Sequence, residues 1–312
     1  GPNTAKGADY YWNVNKQSAY ILDEIRKAFV EGDQKKAEKL TRENFNSEVP
    51  YEFSREKPFR FGNFTTMGEF YVETGLSTIG MSDYKRILSL DSAMAVVQFK
   101  KDDVAYQRNY FISYPANVMV MRFSADQPGK QNLTFRYAPN PVSTGQFSAD
   151  GNNGLVYTAS LDNNGMKYAV RIQATVKGGT LNNTDGRITV KEADEVVFYV
   201  TADTDYKMNF APDFTDPKTY VGVNPLETTQ QWMKDAVAKG YANLLNEHYK
   251  DYASLFNRVK LELNPTVKTS NLPTAQRLKN YRKGQPDYYL EKLYYQFGRY
   301  LLIASSRPVN MP

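Results

Sequence analysis

The chain has 312 residues, 41% hydrophobic and 14% aromatic with 24 Tyr and 17 Phe, and its net charge of +5 is spread along its length. That is enough chain for about two domains with a sizeable core, and neither a disordered chain nor a nucleic-acid partner is implied. With no Cys and a single His, His248, it has no disulfide framework, thiolate or two-histidine metal site, iron–sulfur cluster or cysteine nucleophile, which leaves carboxylates, amides and hydroxyls for chemistry.

Residues 18 to 46 read as a hairpin of two short helices. Leu22, Ile25 and Phe29 recur at helical spacing after a Ser18 cap, Gly32 closes the run, and Asp33 caps a second helix whose apolar positions are Ala37 and Leu40. Lys35, Lys36, Glu38, Lys39, Arg42 and Glu43 make the opposite face polar, so a surface hairpin is expected.

From about Gly62 to Val200 the period changes to two. Strands are expected at Glu69–Glu73, Lys85–Leu90, Ala93–Lys100, Val104–Ser113, Asn117–Ser124, Asn132–Tyr137, Leu155–Leu161, Met166–Val176, Arg187–Val190 and Glu195–Thr201. Lys100-Lys101-Asp102-Asp103 reads as one hairpin turn and Asn163-Asn164-Gly165 as another. Many short strands with no helices between them predict a two-sheet antiparallel sandwich rather than a parallel α/β sheet.

A Pro- and Asp-rich passage from Asp203 to Pro225 leads out of the strands, and helices follow. Gln230–Leu245 and Tyr249–Val259 read as two helices, Leu261-Glu262-Leu263 as a short strand, Pro273–Lys283 as a helix with Gly284 beyond its end, and Pro286–Ser305 as the last helix. Leu290, Leu293, Tyr294, Phe297, Leu301 and Leu302 give that last helix a wide apolar stripe, which calls for helical neighbours and predicts a chain cut inside a helical domain. No apolar run approaches the roughly 18 residues of a membrane span, and Gly1-Pro2-Asn3 opens the chain without a signal-like segment.

Several segments carry a family resemblance. They are Glu24-Ile25-Arg26-Lys27-Ala28-Phe29-Val30-Glu31-Gly32, Phe64-Thr65-Thr66-Met67-Gly68-Glu69-Phe70-Tyr71, Tyr84-Lys85-Arg86-Ile87-Leu88-Ser89-Leu90-Asp91 and Val104-Ala105-Tyr106-Gln107-Arg108-Asn109-Tyr110-Phe111. The likeness is greatest at Leu272-Pro273-Thr274-Ala275-Gln276-Arg277-Leu278 and from Leu293 through Gln296-Phe297-Gly298-Arg299-Tyr300 to Pro308. In this order the chain resembles glycoside hydrolase family 95, the inverting α-L-fucosidases and their α-L-galactosidase relatives.

The resemblance implies an N-terminal β-sandwich domain over 1–225 that includes the hairpin 18–46, a helical linker over 226–270, and over 271–312 the incomplete start of an (α/α)6 catalytic barrel. It implies a fucosylated or L-galactose-containing oligosaccharide as substrate, a periplasmic or secreted location and no cofactor. It also places Gly1-Pro2-Asn3 inside the opening of the sandwich, a tag remnant being the alternative. Its catalytic Glu, and the Asn that orients water under an Asp, are expected beyond Pro312, so no catalytic residue is carried onto this chain. A carbohydrate-binding or scaffold sandwich without catalysis is the alternative function.

Substrate binding is assigned to Arg307 and Ser306, at the end of the last helix. There a planar guanidinium can clamp sugar hydroxyls or an acidic partner, or else complement the helix carbonyls. The acid pairs Glu247/Asp251 and Asp287/Glu291, like Asp102-Asp103, Asp194-Glu195, Asp203 and Asp205, read as solvated charges, and His248, Trp12 and Trp232 as packing residues. Asn63, Asn132 and Asn182 begin glycosylation sequons, which matter only in a eukaryotic secretory host.

Overall fold

The computed structural model describes residues 14–45, 65–162, 165–184, 186–209, 211, 216, 218–263 and 272–307. A 3-10 segment, Val14–Ile21, leads into α1 (Leu22–Val30) and α2 (Gln34–Phe45). The Asp33 carboxylate accepts the Lys36 N–H at 3.0 Å and so caps α2, as its position predicts. Ile25, Ala28 and Ala37 form the small core of this hairpin. Of the three apolar positions read on α1 only Ile25 is buried; Leu22 and Phe29 are exposed, because the facing stripe of α2 is too narrow to cover them.

Among the described residues twelve strands follow: β1 (Gly68–Glu73), β2 (Ser82–Ser89), β3 (Met94–Lys101), β4 (Val104–Ser113), β5 (Val118–Ala125), β6 (Gln131–Pro139), β7 (Ser143–Ala149), β8 (Gly154–Leu161), β9 (Lys167–Lys177), β10 (Thr180–Thr184), β11 (Arg187–Ala193) and β12 (Glu195–Thr204). They form an eight-stranded sheet in the order β2-β3-β4-β5-β12-β9-β8-β7 and a four-stranded sheet in the order β1-β6-β11-β10, with antiparallel pairing throughout. The fold class read from the sequence is therefore present: an antiparallel sandwich followed by helices. Asp102 and Asp103 make the β3–β4 turn, both with φ near +55° (50° and 59°). Asn163 and Asn164, read as a second turn, lie outside the described residues.

Alternation decides where the core sits. On β12, Val196, Phe198 and Val200 point at the small sheet and meet Phe135 of β6 and Ile188 of β11, while Val197 and Tyr199 point the other way. That other face is covered by α3 (Pro225–Phe256), whose Met233, Ala236 and Leu244 pack on Phe111, Val118 and Val120. The middle of the large sheet is buried on both sides, hence its unbroken apolar runs.

Asn224 caps α3 through the Leu226 N–H at 3.1 Å, with Pro225 in the first turn. The two helices expected over 230–259 are present within α3, but they meet at Gly240, where φ is 71° and ψ 167°, not between Leu245 and Tyr249. Asn246-Glu247-His248, which lie between the two expected helices, are themselves helical, and His248 is buried against the ring of Phe111. Leu261-Glu262-Leu263 forms no strand; it leaves α3 as irregular chain with an exposed Lys260–Glu262 ion pair in place of a ladder partner.

Beyond it stand α4 (Thr274–Arg282) and α5 (Tyr288–Ser305). The Asp287 side chain caps α5 through the Leu290 N–H at 2.9 Å and receives the Arg277 guanidinium at 3.0 and 2.8 Å. Leu290 is the buried residue of α5, whereas Tyr294, Leu301 and Leu302 are 79%, 48% and 65% exposed, so the described residues leave its apolar stripe uncovered.

Candidate functional site

The end of α5 and the second half of α3 converge on two loops of the large sheet. Arg307 donates from Nη2 to Asp251 at 2.6 Å and lays its guanidinium 4.7 Å from the centre of the Tyr114 ring, in the β4–β5 loop. One turn before Asp251, His248 Nε2 is 2.9 Å from the Ser92 carbonyl; a carbonyl only accepts, so the ring is the Nε2–H tautomer. Tyr252 donates to the Leu90 carbonyl at 2.7 Å, and burial pushes its phenol up to about 12. Arg299 donates to the Phe256 and Val259 carbonyls at 2.7 and 3.0 Å, satisfying groups that the end of α3 leaves open. These contacts tie the β2–β3 and β4–β5 loops to the helices.

Arg307 and Ser306 thus stand at this junction, Arg307 half-buried on its two partners and Ser306 exposed. Of the two groups that hold Arg307, Tyr114 was not singled out by sequence reasoning and Asp251 only as a solvated helix charge. Their separation of 56 and 193 positions from Arg307 leaves no local pattern, and only the i, i+4 pairing of Asp251 with Glu247 drew attention to that carboxylate.

The acid pairs are separately engaged. Glu247 takes Lys239 at 2.7 Å while Asp251 takes Arg307; Asp287 caps α5 while Glu291 accepts the Tyr281 hydroxyl at 2.9 Å. Asp194 accepts the Gly129 N–H at 2.8 Å, Glu195 binds Arg122 at 2.9 and 2.5 Å, and Asp205 accepts the Lys167 N–H at 3.0 Å. Asp203 is the one described carboxyl with a raised pKa: half-burial disfavours its charge, opposed by hydrogen bonds from Thr204 and Thr228. Its partners are neutral hydroxyl and amide groups, which provide neither a second catalytic carboxylate nor a cation. Trp232 is half-buried on α3; Trp12 lies outside the described residues. Among the described residues no group of three or more His, Cys, Asp or Glu could hold a metal ion, and no helix is long and apolar enough to cross a membrane.

Two family models match the chain: "Glycosyl hydrolase family 65, N-terminal domain" over residues 2–209 and "Glycosyl hydrolase family 95 catalytic domain" over residues 240–312. The "Probable alpha-fucosidase A" of Aspergillus niger is 33% identical over 273 residues, covering 82% of this chain and 32% of that protein. The "Alpha-L-fucosidase 2" of Arabidopsis thaliana is 27% identical over 254 residues, 73% of this chain and 29% of its own length. The "Probable alpha-fucosidase A" of Aspergillus oryzae is 24% identical over 239 residues, 74% and 33% respectively. The chain spans about a third of the length of these curated relatives.

Proposed function

The chain belongs to glycoside hydrolase family 95, and from that premise we propose that it is part of an exo-acting hydrolase that removes terminal α-L-fucosyl, or α-L-galactosyl, residues from oligosaccharides. The observation that carries the reading is the order of the two matched regions, a sandwich and then the first part of a catalytic domain, together with relatives named for α-fucosidase activity. The proposed reaction is a single displacement with inversion, in which an acid protonates the leaving oxygen and a second group, about 6.5–9.5 Å away, delivers water from the opposite face.

The acid and water-delivering groups, in this proposal, lie outside these 312 residues. The described carboxylates support this, because they cap helices, pair with cations or bind backbone amides instead of facing each other across a cleft. Arg307 serves as a positioning residue: its hold on Asp251 and Tyr114 sets where α5 ends, and with it the Ser306 hydroxyl on the sugar side. The proposed location is periplasmic or extracellular, where such glycans are met.

The test is hydrolysis of a fucosylated oligosaccharide, with the anomer of released fucose read by NMR. The 312-residue chain is expected to release none, and a polypeptide continued through the catalytic domain to release the β-anomer first. Retained α-configuration would overturn inversion, and hydrolysis by the short chain, lost on changing one of its carboxylates, would overturn the placement of the site.

A further inference from the structure

The other end of the sandwich has a feature that the hydrolase reading does not use. The side chains of β6 that face the core are Leu133, Phe135 and Tyr137, all buried, and the same parity brings Gln131 inward at the start of the strand. On β4 the inward row is Tyr106, Arg108 and Tyr110, since Arg108 pairs with the core residue Phe123 and Tyr110 with Met121. Two positions that the sandwich pattern reserves for apolar side chains therefore carry an amide and a guanidinium, one from each sheet. Such breaks in an otherwise consistent pattern concentrate at functional positions.

Both residues line one cleft between the sheets, with Tyr106, Thr74 and Leu76 beside them and Lys130 at the rim. Gln131 is 5% exposed and its Nε2 has no hydrogen-bond partner among the described residues. A buried amide donor left unpaired costs free energy comparable to a lost hydrogen bond, so an acceptor from outside the chain suits it. The Arg108 guanidinium is held 5.1 Å from the Phe99 ring centre and 5.7 Å from that of Phe123, and among the described residues no carboxylate pairs with it or with Lys130.

None of the lining residues is acidic. Asp126 and Asp194, on the flanking loops, accept the Ala105 and Gly129 N–H groups. The lining thus offers Nε2–H, guanidinium and ammonium donors and no opposing charge. The cleft is about 240 Å³ counting the solvent at its mouth, and its enclosed part has room for roughly one water-sized group, which fits one oxygen of an oxyanion and not a sugar ring.

We propose that this cleft is an oxyanion subsite of the sandwich that takes the carboxylate or sulfate group of an acidic saccharide, with Gln131, Arg108 and Lys130 as its donors. Its β4 donor, Arg108, stands six residues before Tyr114, which follows the end of β4, about 20 Å at some 3.4 Å per residue, so the cleft is separate from the Arg307 junction. It would hold a charged branch of the glycan while the reaction proceeds elsewhere, and its existence does not depend on the identity of the sugar cleaved.

The test is an NMR titration of the full 312-residue chain at fixed ionic strength with sodium glucuronate, with sodium sulfate and with neutral L-fucose. Glucuronate is expected to shift the Gln131 side-chain amide saturably in the millimolar range and L-fucose to leave it unmoved. Gln131→Glu should weaken binding by about tenfold or more and exposed Lys130→Gln by a few fold, which are losses of the size expected for single charge-assisted contacts. Tighter binding of glucuronate than of sulfate assigns the subsite to a saccharide, and equal binding assigns it to a free oxyanion; both keep the oxyanion chemistry. No shift with either anion, a Gln131 amide shift unchanged in Lys130→Gln, or backbone-amide shifts of β6 on titration that are unchanged in Gln131→Glu, overturns it.

Discussion

His248 enters the fold as a neutral ring tilted against Phe111, 5.0 Å between ring centres, and hydrogen-bonded to the Ser92 carbonyl. Burial is the largest influence on it and lowers its pKa from 6.5; hydrogen bonds to Ser92 and Ala93 and the charge of Asp251 oppose that. The folded pKa thus lies below the unfolded one. Above the unfolded value both states are neutral and the stabilising contribution is complete; as pH falls through 6.5 towards the folded pKa, the unfolded state binds the proton more readily and stability is lost. As the chain has one histidine, that window belongs to it among unperturbed side chains. Thermal melts of His248→Gln, which keeps a donor for Ser92, are expected to depend less on pH between about 7 and 5.5 than those of the parent. Parallel curves would contradict the assignment. The sequence reading of His248 is a packing residue beside Tyr249; its partners, Phe111 on β4 and Ser92 in the β2–β3 loop, arrive from 137 and 156 positions away and leave no local signal.

At the scale of elements, the regular pieces with strong apolar alternation were legible, and those held by backbone pairing were not. β7, Ser-Thr-Gly-Gln-Phe-Ser-Ala with Phe147 as its one large apolar side chain, and β10, Thr-Leu-Asn-Asn-Thr, were both unread. Each is an edge strand whose ladder partner supplies the order. Of the two inward polar residues, Arg108 lies within an expected strand, whereas Gln131 stands one residue before the strand expected at Asn132–Tyr137; the sequence carries no pairing register that brings the two together.

The sequence reading puts the break in α3 between Leu245 and Tyr249, several residues after Gly240, where the backbone leaves helical conformation. That point carries its own prediction. A Cβ at 240 would meet nothing within 4 Å, so Gly240→Ala should cost only the backbone strain of φ 71° and ψ 167°. This is about 1–3 kcal/mol by denaturant melts, and an unchanged midpoint would mean that α3 straightens without loss.

The whole molecule divides into a part that closes on itself and a part that does not. The small sheet, the large sheet and α3 form three layers with a core on each side of the middle one, so β12 should open only on global unfolding. Helix α5 buries Leu290 and leaves Tyr294, Leu301 and Leu302 in solvent, and it is tied to α3 by Arg299 on the carbonyls at the end of that helix and by Arg307 on Asp251. Local stability follows buried apolar contact, so the amides of α5 are expected to exchange with deuterium well before those of β12 in this chain. Arg307→Gln, which removes the cation paired with Asp251 and its contact with the Tyr114 ring, should speed exchange at the end of α5 and leave β12 unaffected. In a polypeptide continued through the catalytic domain, the exposed stripe gains helical neighbours and the same amides should slow by an order of magnitude or more, the effect of about 1.4 kcal/mol of added local stability. Equal exchange of α5 in the short and long polypeptides would mean that other helices do not cover that face, and would remove α5 from the barrel in which the proposed chemistry takes place.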